Sequence, residues 1–320
     1  MQEKENEKEK NSPLKILVCC HKPCTLPPDE EGVLLPVQVG AALTDKRFGF
    51  QTDNEVNGKP CDNISAKNES YCELTAMYWA WKNLKKIYPD VKYVGLFHYR
   101  RFFAFDERKF LEESINKNEE EINNYRVNFQ KVISLMKKYD VILTAPRQRN
   151  YPASMEYRMS FVHTDYETLC DLVKKNFSDY YDDFIKTMEY SNKLSGRNMF
   201  IMKYEDFENY CTWLFGVLKI LEEKVPLEHY HLYGRGNGIF GYVAEYLINV
   251  WVRKNKKKIK FCNAYFYHDD VTEKQANKFL TPFIFAGKMV GYLKNDLTAK
   301  MLTFGLRDFL KKFLIFKRPD

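Results

Sequence analysis

Short apolar runs alternate with longer helical stretches along most of the sequence, and this alternation limits the possible folds more than any other feature. Four runs have the length and the continuous apolar character of buried strands: Leu14–Cys20, Val91–Phe97, Asp140–Thr144 and Asn198–Met202. Apolar residues recur at helical spacing from Ser70 to Ile87, and a further helix is expected to follow the fourth strand through Glu223. Strands that alternate with helices predict an α/β fold with a mainly parallel sheet flanked by helices.

The positive charge lies at the C-terminal end, which helps to divide the chain into three predicted parts. Residues 1–12 are polar and are expected to be disordered, residues 13–262 to form a catalytic domain, and residues 263–320 to form a basic, helical C-terminal extension. The formal net charge is +7, and residues 251–320 hold 16 Lys and Arg against 6 Asp and Glu. Drawn as a helix, Leu297 to Phe316 has one apolar and one basic side. Such a helix suits an anionic membrane surface or docking on the domain, and both interpretations stay open.

Missing motifs exclude several classes of protein. No run approaches the roughly 18 apolar residues of a membrane-spanning helix, and no apolar segment follows the charged N-terminus, which predicts a cytoplasmic protein. The eight cysteines indicate free thiols, and Cys20, His21 and Cys24 lack the second half of a zinc site. The absence of G-x-G-x-x-G and P-loop motifs disfavours dinucleotide-binding and P-loop enzymes. The basic surface has no accompanying nucleic-acid recognition motif.

Cationic side chains follow the predicted strands at the point where each strand ends. His21 follows the first strand, His98 to Arg101 follow the second, and Arg147 and Arg149 follow the third. Ligands of parallel sheets bind at the carboxyl ends of strands, and a guanidinium can bind a diphosphate bidentately. These positions predict a pocket for a phosphate-bearing ligand. Strand alternation further predicts that His98 and Arg100 point to one face, and Tyr99 and Arg101 to the other.

Three acidic positions are candidates for chemistry. Glu245 lies in a largely apolar predicted helix with no cation one turn away, which makes it a candidate general base. Ser70 and Glu73 have the spacing of a capping box, which would explain Glu73 structurally. Asp62 lies in a turn, where it could bind a nucleoside or a sugar or simply stabilise the turn. No Asp-x-Asp pair stands at an expected strand end, and the runner-up metal ligands are His268, Asp269 and Asp270, for which a solvated turn is the simpler interpretation.

Several segments together resemble a known family, over about residues 14 to 252. They are HKPCTLPPDEEGVLLPVQVGAAL, DNISAKNESYCELTAMYWAWKNL, YVGLFHYRRFF, YDVILTAPR, RNMFIM and FGYVAEYLINVW. They resemble the signature blocks of a bacterial family first catalogued as a domain of unknown function. That family occurs in capsule, exopolysaccharide and O-antigen gene clusters, where its members are taken to be glycosyltransferases, some of them galactofuranosyltransferases.

The resemblance implies a GT-A-like nucleotide-diphospho-sugar transferase fold and a set of site residues. The residues that match the family blocks are His21, Asp62, Asn63, Lys67, Asn68, Glu73, His98, Arg100, Arg101, Asn198 and Glu245. From these we expect Glu245 and His98 to be catalytic, with Glu245 as the base. The expected donor-binding residues are His21, Asp62, Asn63, Lys67, Arg100, Arg101 and Asn198. The arginines would offset diphosphate charge in place of a metal, and the cofactor stays open between none and Mn²⁺ or Mg²⁺.

The resemblance also implies the reaction and the partners. The expected activity is that of a hexosyltransferase that moves galactofuranose, galactose or a similar sugar from a UDP-sugar, with inversion favoured. The acceptor would be a growing capsular, exopolysaccharide or O-antigen glycan on a polyprenyl diphosphate, with the inner-membrane surface as a further partner and no nucleic acid. Two alternatives stay open: a phosphosugar transferase, and a non-catalytic carbohydrate-binding or assembly protein of a polysaccharide locus.

Overall fold

The computed structural model describes residues 12–105, 112–116, 119–161, 163–225 and 238–268. The described strands are β1 Leu14–Cys20, β2 Leu34–Gln38, β3 Gln51–Thr52, β4 Glu55–Val56, β5 Lys59–Pro60, β6 Tyr93–His98, β7 Arg101–Ala104, β8 Glu112–Asn116, β9 Val141–Thr144, β10 Arg147–Gln148, β11 Lys193–Leu194, β12 Phe200–Lys203 and β13 Ile259–His268. The described α-helices are α1 Asn68–Tyr71, α2 Leu74–Ile87, α3 Glu119–Asn124, α4 Phe129–Met136, α5 Ala153–Ser160, α6 His163–Asn176, α7 Ser178–Met188, α8 Tyr204–Glu222 and α9 Ile239–Lys254. Two short 3₁₀ helices span Ala41–Leu43 and Ser65–Lys67. The α/β class predicted from the sequence is confirmed.

The central sheet places β1 between two parallel neighbours. Strand pairing runs in the order β3, β2, β1, β6, β12, β9 and β13. β12 is antiparallel to both β6 and β9, so the sheet is mixed. Every residue of β1 is buried, which explains its continuous apolar sequence. In β6, an added Cβ on Gly95 would lie 3.0 Å from side-chain atoms of both Ile16 and Ile201, so the two neighbouring strands pack closely across this glycine.

β13 links the central sheet to a smaller group of strands. Its first residues pair with β9, and the residues from Asn263 onward pair with β7 and β8. The predicted domain boundary between residues 262 and 263 therefore falls inside one continuous strand. Beyond residue 268 the predicted basic extension, including the helix from Leu297 to Phe316, lies outside the described residues, as do residues 1–11. The three-part division stays a prediction.

The core beneath the carboxyl end of β6 is aromatic. The rings of Phe97 and Phe103 meet edge to face at 5.2 Å between centroids, and Phe97 meets Phe102 in the same way at 5.9 Å. All three are 0–1% exposed. Full burial of one such side chain contributes about 1.5–3 kcal/mol to folding. Residues 101–104 form β7 and bury Phe102 and Phe103 against Phe97 of β6.

The chain divides into two compact units. The described part of the first comprises residues 12–105, 112–116, 119–148, 193–216 and 238–268, and that of the second comprises residues 149–161, 163–192 and 217–225. In the second unit Glu189 accepts hydrogen bonds from Ser154 Oγ at 2.7 Å and from Tyr166 Oη at 2.6 Å. Buried Tyr157 and Phe184 complete its aromatic core. Across the described helices, none combines the length and the apolar character needed to cross a bilayer.

Candidate functional site

Two strand ends and a loop meet at one edge of the central sheet. β1 and β6 are parallel, so both end there, with Cys19 opposite His98. β12 runs the other way, with Phe200 opposite Leu96, so its preceding loop, Ser195–Asn198, reaches the same edge. We call the group formed by Glu73, His98, Arg100, Arg101, Arg197, Asn198 and Glu245 the strand-end site.

A tight hairpin places His98 beside Arg101. β6 ends at His98, β7 begins at Arg101, and the two residues are paired across the strands. Cross-strand partners point to the same face of a sheet. The predicted alternation, which set His98 with Arg100 and opposite to Arg101, was therefore wrong, because Tyr99 and Arg100 form the turn between two strands.

Three guanidinium groups surround one aromatic ring. The Cζ atoms of Arg100, Arg101 and Arg197 lie 5.6, 4.5 and 5.9 Å from the ring centroid of Phe266. Cations near an aromatic face are attracted to it, but the like charges repel one another. Such a cluster creates a positive potential that favours an anionic ligand.

A second ring, that of Tyr99, extends this cationic surface. Arg100 Cζ lies 5.0 Å and Lys22 Nζ 5.8 Å from its centroid, and the exposed ring of His21 meets it edge-on at 4.9 Å. Partial burial lowers the pKa of His21, and the charges of Arg100 and Lys22 lower it further. The structure thus brings His21 to the same edge as the arginines.

His98 holds the loop at this edge. Its Nε2 atom lies 2.6 Å from the carbonyl oxygen of Arg197. A carbonyl only accepts, so Nε2 carries the proton. Burial lowers the pKa of His98 to about 3, with Arg101 as the next cause. A ring of such low basicity is a poor proton acceptor at neutral pH, so the geometry favours His98 as a group that positions the Arg197 peptide.

Two carboxyl groups face this loop. Glu245 accepts a hydrogen bond from the backbone N–H of Arg197, and Glu73 Oε1 accepts one from Asn198 Nδ2 at 2.6 Å. Burial raises the pKa of both carboxyl groups, and the charge of Glu73 raises the pKa of Glu245 further. The charge of Arg101 acts in the opposite direction on both. Groups that interact in this way lose their protons as a coupled pair.

A break in the predicted helix directs Glu73 into the site. α1 ends at Tyr71 and α2 begins at Leu74, because Cys72 adopts a left-handed φ of +51°. Asn68 Nδ2 holds this turn by donating to the carbonyl of Cys72 at 2.8 Å. Glu73 precedes the first residue of α2 and its side chain makes no capping hydrogen bond. The predicted capping box was therefore wrong, and Glu73 acts on Asn198 instead.

Two elements, β9 and α9, hold the Ser195–Asn198 loop. Ser195 Oγ donates to Thr144 O at 2.6 Å, and Thr144 Oγ1 donates to Gly196 O at 2.9 Å. Asn249 of α9 accepts from Ser195 N at 3.0 Å and donates to Ser195 O at 2.8 Å. An added Cβ on Gly196 would lie 2.9 Å from Glu245 Oε2, so the loop passes directly over that carboxylate.

Comparison with known proteins bears on this site. The model of a family described as "Domain of unknown function (DUF4422)" matches residues 15–256. The chain belongs to this family. A solved structure, the WbbM bifunctional glycosyltransferase in its apo form, is 27% identical with a TM-score of 0.66. The match covers 79% of this DUF4422 chain and 45% of that chain, so this chain spans less than half of WbbM. Among curated proteins, no match was found.

The comparisons confirm the resemblance at the level of the family. Kinship with a glycosyltransferase and a mixed α/β fold are consistent with a nucleotide-sugar transferase fold for this DUF4422 chain. WbbM is described as bifunctional, and nothing in that description assigns either activity to the matched part.

Asp62 and Asn63 lie away from the strand-end site of the DUF4422 chain. Asp62 is exposed; its Oδ1 accepts from Tyr78 Oη at 3.2 Å and its backbone carbonyl accepts from Asn83 Nδ2 at 3.0 Å. Asn83 is ten residues beyond Glu73, or ~15 Å along the helix axis. Asn63 accepts from Ser65 N at 3.0 Å and thereby closes its own turn. No contact among the described residues joins Asp62 or Asn63 to the strand-end site.

Three other cations that the sequence predicted to bind the donor or a phosphate do not belong to the strand-end site. Lys67 is exposed, with its Nζ 5.9 Å from the ring centroid of Tyr71. Arg147 is exposed in β10, and Arg149 Nε lies 2.9 Å from Glu156 Oε1, so a carboxylate already offsets that charge.

The candidate metal ligands are only partly described. His268 ends β13, and Asp269 and Asp270 lie outside the described residues. Within the described ranges, no group of three or more His, Cys, Asp or Glu side chains is placed to hold a metal ion. The sulfurs of Cys20 and Cys24 lie 3.6 Å apart and do not form a disulfide.

Sequence reasoning missed Arg197 of the strand-end site and two residues that support the site, Phe266 and Asn249. Arg197 stands beside Asn198 in a quoted block, and Phe266 lies between two tyrosines. Adjacent Gly196 and Asn198 signal a turn that can adopt positive φ, and this signal could have drawn attention to Arg197.

Proposed function

We propose that this DUF4422 chain is a glycosyltransferase that transfers a hexose from a UDP-sugar to an acceptor hydroxyl. The observation that carries the proposal is the cluster of three guanidinium groups around Phe266, beside two carboxyl groups of raised pKa. The similarity to the WbbM bifunctional glycosyltransferase supports it independently.

On the donor side, the arginines bind the diphosphate. The bond between the sugar's anomeric carbon and the phosphate oxygen breaks, and its electron pair leaves with UDP. Negative charge develops on that oxygen, and preorganised cations at the place where charge develops lower the barrier. Arg100, Arg101 and Arg197 supply those cations, with Lys22 beside Tyr99. Mn²⁺ or Mg²⁺ held by His268, Asp269 and Asp270 is the competing arrangement.

On the acceptor side, Glu245 takes the proton. The acceptor oxygen forms a new bond to the anomeric carbon, and its proton passes to the Glu245 carboxylate. A base works best when its pKa lies near the working pH, and the raised pKa of Glu245 moves it in that direction. His98 does not compete for this role because its pKa is lowered to about 3. A single base and a direct displacement give inversion at the anomeric carbon.

The finer parts of the proposal concern the substrates and the place of action. The donor sugar is galactofuranose, galactose or a similar hexose. The acceptor is a growing capsular, exopolysaccharide or O-antigen glycan on a polyprenyl diphosphate. The reaction takes place in the cytoplasm at the inner-membrane surface, which the basic residues of the C-terminal extension suit.

The test is a calorimetric titration with UDP, with EDTA or with added Mn²⁺ or Mg²⁺. We expect saturable binding in EDTA that falls at least about tenfold in Arg100→Ala, as expected for a lost charge-assisted contact. Lys82→Met is the matched control, because Lys82 Nζ also lies over an aromatic ring, 3.3 Å from the Trp81 centroid, but outside the strand-end site.

Three results would count against parts of the proposal. Binding that requires the metal would move the diphosphate site toward His268, Asp269 and Asp270. Equal loss in Lys82→Met would show a nonspecific charge effect. Absence of UDP binding in every condition would remove the UDP-sugar donor and favour a non-catalytic carbohydrate-binding or assembly protein.

A further inference from the structure

Two consecutive residues of the strand-end site adopt a conformation that L-amino acids rarely take. Arg197 has φ +74° and Asn198 has φ +49°, although neither is glycine. A positive φ is unfavourable for a residue with a side chain, less so for Asn than for Arg, and it persists only where the surroundings hold it in place. The contacts that hold residues 197 and 198 in this conformation therefore indicate its function.

Asn198 uses both N–H bonds of its amide to join two segments distant in sequence. Nδ2 donates to Glu73 Oε1 at 2.6 Å and to the carbonyl of Gly241 at 2.8 Å. The residue is 5% exposed, so these hydrogen bonds are made away from water. Asn tolerates the left-handed region well and supplies two donors, a combination that Asp lacks.

The N–H, the carbonyl and the guanidinium of the neighbouring Arg197 all lie at the strand-end site. Its N–H donates to Glu245, its carbonyl accepts from His98 Nε2 at 2.6 Å, and its guanidinium lies 5.9 Å from the Phe266 centroid. Displacement of the Arg197–Asn198 segment would move the N–H that contacts the proposed base, the carbonyl that contacts His98 and the third guanidinium at the same time.

We propose that Glu73 is a positioning residue that acts through Asn198 and holds the Arg197–Asn198 segment in place. In this position the guanidinium of Arg197 contacts the donor diphosphate, and the backbone N–H of Arg197 orients Glu245. This inference rests on the proposed function and gives Glu73 a role within it. We call the hydrogen bond between Glu73 and Asn198 the clamp. Glu73 belongs to the turn between α1 and α2, and Asn198 to the loop before β12, so the clamp joins two segments that are far apart in the sequence.

Three variants separate the clamp from simple loss of charge or of folding. Glu73→Gln removes the charge but keeps an oxygen that accepts from Asn198. Glu73→Met has a similar length and offers no such oxygen. Asn198→Asp keeps tolerance of positive φ but loses both donors.

The first measurement is amide hydrogen exchange of the protein without ligand. We expect the amides of residues 195–198 to exchange at least about tenfold faster in Glu73→Met and in Asn198→Asp. Both variants lack the hydrogen bond from Asn198 to Glu73 that holds this loop. Glu73→Gln should exchange like wild type, and β1 should stay protected in all variants. Unchanged exchange at residues 195–198 in Asn198→Asp would overturn the proposal, even if Glu73→Met failed to fold.

The second measurement is a double-mutant cycle on UDP affinity. Glu73→Met and Arg197→Met should each weaken UDP binding about tenfold, and the double variant should be no weaker than either alone, because one acts through the other. Additive losses would overturn the link from Glu73 to Arg197. Absence of UDP binding in wild type would instead remove the proposed donor, while the exchange measurement would still decide whether the clamp exists.

Discussion

The strand-end site and the turn that contains Asp62 (residues 61–67) were both predicted to bind the donor, and the structure treats them differently. In the turn, Asn63 closes the backbone locally, and Asp62 pairs with a tyrosine on the following helix. In the strand-end site, Glu73 and Glu245 come from distant segments to face one strained loop. Burial raises the pKa of both carboxyl groups there.

The difference shows how a functional polar cluster can be told from a structural one. The turn satisfies its polar groups within itself and with side chains of α2. The strand-end site crowds cations, desolvates carboxyl groups and holds Arg197 and Asn198 at positive φ. Each of these features opposes stability, and such features are retained where activity requires them.

Removal of the proposed base should produce the largest difference between the two regions. Glu245→Gln should lower kcat about 100- to 10,000-fold, the usual contribution of a positioned general base. Asp62→Asn, the matched change in the turn, should keep the wild-type rate. UDP release from a UDP-hexose in the presence of acceptor measures both, and equal losses in the two variants would erase the distinction.

Removal of the same carboxylate should not weaken the fold at neutral pH. The pKa of Glu245 is raised in the folded state, so the unfolded chain loses this proton at a lower pH and stability falls as pH rises through that window. Glu245→Gln avoids that loss. A clear fall in the urea midpoint at pH 7 would show that Glu245 stabilises the fold.

The second prediction uses the pH dependence of stability. The pKa of His98 lies at about 3 in the folded state, against an ordinary value of 6.5. Between these two pH values His98 is protonated in the unfolded chain but not in the folded protein. The free energy of unfolding is therefore highest above about pH 6.5 and falls as the pH drops. Burial is the main cause, and the facing cations Arg101, Arg197 and Arg100 add to it. From pH 7 to pH 5 wild type should lose about 1–2 kcal/mol more than His98→Gln, since each tenfold difference in proton affinity between the two states is worth ~1.4 kcal/mol.

Urea unfolding at the two pH values measures this difference. His98→Gln keeps an N–H that can reach the Arg197 carbonyl, so the loop contact is retained. An identical fall in both proteins would mean that His98 is not held neutral by its surroundings.

A third prediction concerns two glycines. Gly196→Ala should lower kcat about tenfold, because the new methyl would push aside Glu245 Oε2, and misplacement of a reacting group by a fraction of an ångström has effects of this size or more. Gly58→Ala meets nothing within 4 Å but stands at φ +72°, so it should lose about 1–2 kcal/mol of stability and keep its activity.

Paired measurement of kcat and of the urea midpoint tests both glycine variants. A Gly196→Ala variant with the wild-type rate would show that the Glu245 carboxylate is not held where the site requires it.

The smallest expected effect belongs to the turn itself. Asn63→Ala removes two hydrogen bonds, the one that Asn63 accepts from Ser65 N and the one that it donates to Cys61 O. Since both are only partly buried, the loss should destabilise the protein by about 0.5–1.5 kcal/mol. UDP affinity should stay unchanged. Weaker UDP binding in a variant that is otherwise stable would restore the turn to the donor site.

The sequence predicted what depends on short-range pattern. β1 and β9 were recognised as continuous apolar runs, and Glu245 as a carboxylate in an apolar helix. β7 was missed because the turn at Tyr99 and Arg100 contains no glycine, asparagine or proline to signal a hairpin. The interruption at Cys72 was missed because Tyr71 and Leu74 are three residues apart, a helical spacing that continues across it.

The missed part of the site depends on long-range convergence. The spacing of Ser70 and Glu73 predicted a capping box, but Asn198 attracts that carboxylate from far along the chain. The role of Arg197 depends on a positive φ and on partners from α9, β6 and β13, none of which a local pattern contains.

β13 has a consequence for how the molecule is made. Its residues pair with β7, which lies roughly 160 residues earlier, and such pairing must await the later segment. A ribosome must therefore release Phe266 before its ring can pack beneath the guanidinium groups. A nascent chain that ends earlier carries every arginine of the site yet lacks the ring around which they gather, so truncation at the predicted boundary of residue 262 should abolish assembly of the anion site.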